Sequence, residues 1–143
     1  MTASGLAKSY LKKASARREI LPSLMDLGDF SDVVREAQEV VELALKAVLR
    51  LIGVEPPKTH NVGKLLIEYA DRLPGMPVHE LARISTALRK ERELSFYGDV
   101  DFLPDEEYSA DDARRAIQDA SMVLEAVLVF EADGRWKEGQ NQS

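Results

Sequence analysis

Between the glycines at positions 28 and 53, apolar side chains fall at Ala37, Val40, Val41, Ala44, Val48, Leu51 and Ile52, in the steps of one, three and four that line one face of an α-helix. A stripe of that length has to be buried against other elements, and no segment of the chain alternates apolar and polar residues with the period of two that a strand requires. The partners of this helix must therefore be helices too.

The same spacing predicts a first helix over Ala3–Leu27, with Leu6, Tyr10, Ala14, Leu21 and Leu24 inward and Gly28 as a left-handed stop. Asp29 or Ser31 is placed to cap the second helix, and Pro56-Pro57 behind Gly53 reads as a loop. A short third helix starts near Asn61 with Val62, Leu65, Leu66, Tyr69 and Leu73 inward, and Pro74-Gly75-Met76-Pro77 breaks it. A fourth follows with the stripe Leu81, Ile84 and Leu88, fading near Ser95. An acidic loop, Gly98–Tyr108, leads to a fifth helix opened by a capping box, Ser109 with Asp112. Its inward residues are Ala113, Ile117, Ala120, Val123, Leu124, Val127 and Phe130, and Gly134 ends it. The expected fold is all-α, an antiparallel up-and-down bundle of four to five helices. Residues 1–133 make a single domain and 134–143 a flexible tail.

Composition narrows the chemistry. The 143 residues are 45% hydrophobic and 31% charged, the balance of a folded domain, and they contain no cysteine and two histidines, which removes disulfides and thiolate metal sites. Net charge is −6, divided between +4 over the first twenty residues and −10 over the remainder, so a wholly basic nucleic-acid footprint is absent. Met1–Tyr10 lacks the apolar core of a signal peptide and no window approaches the ~20 apolar residues of a membrane span, which sets the expectation of a cytoplasmic protein with no membrane partner.

Catalytic signatures are missing. There is no GxxxxGK[ST], GxGxxG, HExxH or GxSxG, and no Gly-Ser followed by paired aspartates. Asp99 and Asp101 read as solvated charge, and His60 and His79 as turn and first-turn residues; no metal or cofactor is expected. Two places break the amphipathic rule. Gln38, Glu42 and Lys46 form a polar row beside the apolar stripe of the second helix, with Glu42 and Lys46 in the favourable order for an i,i+4 pair. On the fourth helix the stripe Leu81, Ile84, Leu88 runs on into Arg92 and Ser95, and an inward guanidinium must meet a carboxylate, a partner or a phosphate. Arg92 with Glu42 is the first pairing to test.

The stretch Glu39–Lys58 (EVVELALKAVLRLIGVEPPK), continuing through Thr59-His60-Asn61-Val62-Gly63-Lys64-Leu65-Leu66, resembles the second-to-third helix segment of HEPN domains (higher eukaryotes and prokaryotes nucleotide-binding). The resemblance covers roughly Leu6–Phe130 and implies a bundle that pairs as a homodimer. Many such domains are metal-independent endoribonucleases whose motif is an Arg, four to six residues, then a His, meeting its counterpart across a shared cleft. Arg89 followed by five residues reaches Ser95 instead, and serine cannot titrate near neutral pH as an acid or base. Tyr97 stands two after Ser95, where toxin members of the family carry a tyrosine that a cognate nucleotidyltransferase modifies.

Three readings follow from this resemblance. One is a nucleotide- or RNA-binding regulatory module in a toxin–antitoxin-like pair, using Glu42, Lys46, Arg92, Ser95 and Tyr97, with Tyr97 as the modified residue. Another is an atypical ribonuclease built on Arg89, Arg92 and Tyr97. The last is an all-α interaction domain without a ligand site.

Overall fold

The computed structural model describes residues 2–56, 58, 61–96, 108–134 and 136–137; side chains are described there except at Ala3 and 90–96. Five α-helices occur among the described residues: α1 (Ala3–Asp26), α2 (Phe30–Leu51), α3 (Val62–Glu68), α4 (Val78–Phe96) and α5 (Ala110–Asp133), with a 3₁₀ turn at Ala70–Arg72. The described residues contain no strand, as the lack of period-two patterning requires. The all-α bundle is thus the observed architecture.

Local signals explain most of the boundaries. The Thr2 hydroxyl accepts from the Gly5 N–H at the start of α1, and the Asn61 side chain does the same for Gly63 at the start of α3. Asp29 occupies the N-cap position of α2 without a side-chain capping bond. Gly28 sits at φ 73° and Gly134 at φ 75°, left-handed positions that let the chain leave a helix end where an L side chain would be strained. The Ser109–Asp112 box forms in both directions, at 3.0 and 2.9 Å.

The helix directions can be followed from contact to contact. A three-residue turn returns α2 antiparallel to α1. Arg72 donates to the carbonyl of Ile52, tying the approach to α4 to the C-terminal end of α2. Leu88, well along α4, lines a cleft with Val34 near the opposite end of α2, so α4 runs antiparallel to α2. The same cleft is lined by Arg83 and Leu88 of α4 and by Asp112 and Asp119 of α5, with Arg83 close enough to Asp119 for their charges to interact. The short α3 lies on α4, where Asn61 donates to the Thr86 hydroxyl at 3.0 Å.

The core is built around α2, thirteen of whose residues are buried, with Leu21 of α1, Leu81 and Ile84 of α4 and Leu124 of α5 fully enclosed beside it. The inward stripes expected for α4 and α5 lie in this core, apart from Ile117, which is partly buried. The face of α1 is rotated from expectation: Ala7, Leu11, Ala14 and Leu21 are buried, while Leu6 and Tyr10 sit at its edge. Alanines at 7 and 14 allow α1 to approach α2 closely, and the larger Tyr10 is left where its hydroxyl reaches the margin. Arg17 and Glu36 at 3.8 Å, and Arg18 and Glu125 at 2.6 Å, add half-exposed ion pairs from α1 to its two neighbours. Trp136 folds back beyond Gly134, buried and donating its indole N–H to the Glu131 carbonyl at 3.0 Å.

One member of the polar row on α2 is not at a surface. Gln38 is completely buried, and neither its amide nitrogen nor its amide oxygen has a hydrogen-bond partner. Leaving a buried polar group unsatisfied costs about 1–3 kcal/mol. Gln38→Met, which keeps the length of the side chain and removes the amide, should raise the unfolding free energy by about that amount in urea melts. An unchanged or lowered midpoint would show that the amide is satisfied in solution.

A second packing constraint is set by Gly63. A Cβ there would meet the Ala82 Cα at 2.9 Å and the Ala82 carbonyl at 3.1 Å, backbone atoms that cannot rotate away. Gly63→Ala should therefore push α3 off α4 and cost about 1–3 kcal/mol, the range typical of overpacking. A thermal midpoint equal to wild type would contradict this.

Candidate functional site

A cleft of about 430 Å³ opens between α4 and α5. Its apolar wall comprises Val34, Ala87, Leu88, Ala116 and Tyr108, all but the exposed Ala87 being buried. Its charged residues are Arg83 on α4 with Asp112, Arg115 and Asp119 on α5. The volume lies within the roughly 300–1,000 Å³ of small-molecule sites, and apolar walls with a few charged groups are their usual chemistry.

Helical spacing assembles these charges. Asp112, Arg115 and Asp119 follow one another by three and four residues, so they share a face of α5. Asp112 is also the capping-box carboxylate. The Ser109 backbone N–H bonded to it, and then the nearby Arg115, hold it below its ordinary pKa despite some desolvation. Arg115 donates to Asp112 at 2.9 Å. On the opposite wall Arg83 makes a two-pronged pair with Glu80, at 3.1 and 2.5 Å, which lowers the Glu80 pKa and raises that of Arg83. Each arginine is thus held by a carboxylate of its own helix.

Asp119 is different. It is half-buried, and among the described residues no donor reaches its carboxyl within hydrogen-bond or ion-pair distance. Burial pushes its pKa up from the ordinary aspartate value; the charges of Arg83 and Arg115 oppose this, and that of Glu80 reinforces it. The protonated form is therefore the one favoured by folding. Between the ordinary value and the raised one the folded state binds the extra proton, so stability falls as pH rises through that window. Asp119→Asn should flatten this slope and leave the protein more stable than wild type at neutral pH. Urea melts at mildly acidic and neutral pH would check it, and a variant less stable at neutral pH would refute it.

The residues singled out from the sequence fall at two levels of the bundle. Glu42 and Lys46 are half-buried on α2. They lie eight and twelve residues beyond Val34, roughly 12 and 18 Å along the helix. Arg89 adjoins the cleft-lining Leu88 and is half-buried. Arg92 and Ser95 belong to the last two turns of α4, beyond Leu88 and in the direction away from Glu42; their side chains lie outside the described residues. The pairing of Arg92 with Glu42 thus lies outside the described residues. Tyr97, His60 and the acidic loop up to Glu107 lie outside the described residues, while Tyr108 is buried at the cleft. His79 is exposed in the first turn of α4.

Sequence reasoning missed Arg83, Arg115, Asp119 and the cleft itself. The available signal was the Asp112, Arg115, Asp119 spacing, set beside the inward stripe of α5. Among the described residues no group of three or more His, Asp or Glu side chains is placed to hold a metal, and no helix is long and apolar enough to cross a membrane.

Comparison with known proteins places this architecture. The chain is 27% identical over 134 residues to a protein of Methanocaldococcus jannaschii named "Putative toxin MJ1304", an alignment covering 87% of each chain. The model of the HEPN domain matches residues 7–132, from the first buried alanine of α1 to the end of α5. With nearly its whole bundle matched in this way, the chain belongs to the HEPN domain family.

Proposed function

We propose that this protein is a HEPN module of the toxin type that binds nucleotide or RNA without cutting it, acting in the cytoplasm as a homodimer under the control of a separate nucleotidyltransferase. The observation that carries the reading is Ser95. Counting five residues on from Arg89 puts a serine where a ribonuclease of this family would need its proton-transferring histidine, inside the matched segment. A hydroxyl with no titration near neutral pH supplies neither the general base for a 2′-hydroxyl nor the acid for the leaving oxygen. The cationic part of the motif is kept. Arg89 beside the cleft and Arg92 one turn beyond it are suited to phosphate, which guanidinium binds through paired N–H donors. The relative named as a toxin supports the toxin-type assignment.

Two measurements test this. Wild-type protein mixed with fluorescein-labelled single-stranded RNA should bind it and leave it intact, and Arg89→Ala or Arg92→Ala should weaken binding by roughly five- to tenfold, about 1–1.4 kcal/mol. RNA cleavage by wild type that disappears in Arg92→Ala would overturn the reading in favour of an atypical ribonuclease using Arg89, Arg92 and Tyr97. Sedimentation should give a mass near twice the 15.9 kDa of one chain. Intact-mass analysis after incubation with a partner nucleotidyltransferase and ATP should show a nucleotidyl group on Tyr97, absent in Tyr97→Phe.

A further inference from the structure

Among the described residues of the α4–α5 cleft, Asp119 is the charged group that makes no hydrogen bond or ion pair. Arg83 and Arg115 both line the cleft, each bonded to a neighbouring carboxylate, Glu80 or Asp112, and Asp119 lines the cavity with no donor on either oxygen among the described residues. We propose that Asp119 is the base-recognition residue of this cleft, its carboxylate accepting the adjacent N1–H and N2–H donors of a guanine. This rests on the nucleotide- or RNA-binding reading above and names the base that the site selects.

The argument is one of matching donors to acceptors. A carboxylate presents two acceptor oxygens side by side and, when ionised, no donor. Guanine offers two neighbouring nitrogens that both carry hydrogen. Adenine and cytosine set an amino group next to a bare ring nitrogen, which would face the second carboxylate oxygen lone pair to lone pair. Uracil has a single N–H between two carbonyls. Of the four bases, guanine alone satisfies both oxygens of Asp119 without repulsion.

The surroundings strengthen the discrimination. Leu88, Ala116 and Tyr108 exclude water from the apolar wall, and a hydrogen bond made there to a charged group is worth about 1.5–3 kcal/mol net. The two arginines pair with Glu80 and Asp112 on their own helices, which leaves the Asp119 acceptor open to a ligand. The strain that burial imposes on Asp119 is relieved when two donors arrive. Cost in the empty protein and gain in the complex are then two sides of one arrangement.

Calorimetric titration of the full chain with GMP, IMP and AMP tests the proposal. Wild type should bind GMP at least about tenfold more tightly than AMP, a difference of about 1.4 kcal/mol, with IMP, which lacks the 2-amino group, in between. Asp119→Asn, which keeps the shape of the side chain and is expected to be no less stable, should bring the three affinities together, and Asp119→Ala should do the same. Equal affinity for GMP and AMP in wild type, or a guanine preference that survives in Asp119→Asn, would overturn this inference and leave the nucleotide-binding reading standing. Failure of wild type to bind any of the nucleotides or the labelled RNA would overturn both. Binding of an arginine-rich peptide that Asp119→Asn abolishes, with no nucleotide bound, would overturn it in favour of a basic side chain from a protein partner.

Discussion

The burial of α2 on most of its circumference is the constraint from which the other features follow. Thirteen of its twenty-two residues are removed from water, far more than the single stripe of a surface helix. Burial of that extent needs neighbours on several sides, and α1, α4 and α5 supply them. Because α4 and α5 each pack more extensively on α2 than on each other, they diverge above it, and the cleft is the space left between them. Val34 is where α2 shows through. The site is therefore a consequence of how the core is closed.

How far this was legible in the sequence depends on whether a residue is positioned by its own helix or by another. Leu81, Ile84 and Leu88 fix the buried face of α4 by spacing alone, and Ser109 with Asp112 fixes the start of α5, because both are properties of a single turn or stripe. The phase of α1 was less legible. Two overlapping apolar rows were available, Leu6–Tyr10 and Ala7–Leu11, and the preference for the second arises from the close approach of α2. Gln38 looked like the first member of a solvated row. Its burial follows from helices closing over α2 from a direction that no pattern within α2 encodes. The cleft was illegible for the same reason: Arg83 and Asp119 are 36 positions apart and meet only when α4 and α5 come together. Arg92 and Ser95 were found as the continuation of the α4 stripe and Arg89 through family resemblance; neither a single stripe nor a linear motif reaches Asp119.

Gln38 and Asp119 share a physical oddity. Among the described residues neither has a hydrogen-bond partner, Gln38 fully buried and Asp119 half-buried at the cleft. Folded proteins are stable by only about 5–15 kcal/mol, so two such groups are not negligible. Their positions distinguish them. Gln38 is sealed in the core, where an unsatisfied amide has nothing to meet, and its effect is confined to stability. Asp119 lines an open cavity, where the same deficit can be made good by a ligand.

That difference is the physical reason to look for function at Asp119 more than at the charges around it. A guanidinium already paired at 2.9 Å, like Arg115, gains less from a phosphate than an unpaired one would, because part of its charge is already answered. A half-buried carboxyl with no protein donor has no internal bond to give up when a ligand's donors replace water at its oxygens. The paired arginines preserve this state: were Arg83 or Arg115 released from Glu80 or Asp112, it could turn to Asp119 and satisfy it internally. The ion pairs at the cleft thus matter chiefly for the interaction they prevent, which keeps one acceptor unoccupied beside an apolar wall.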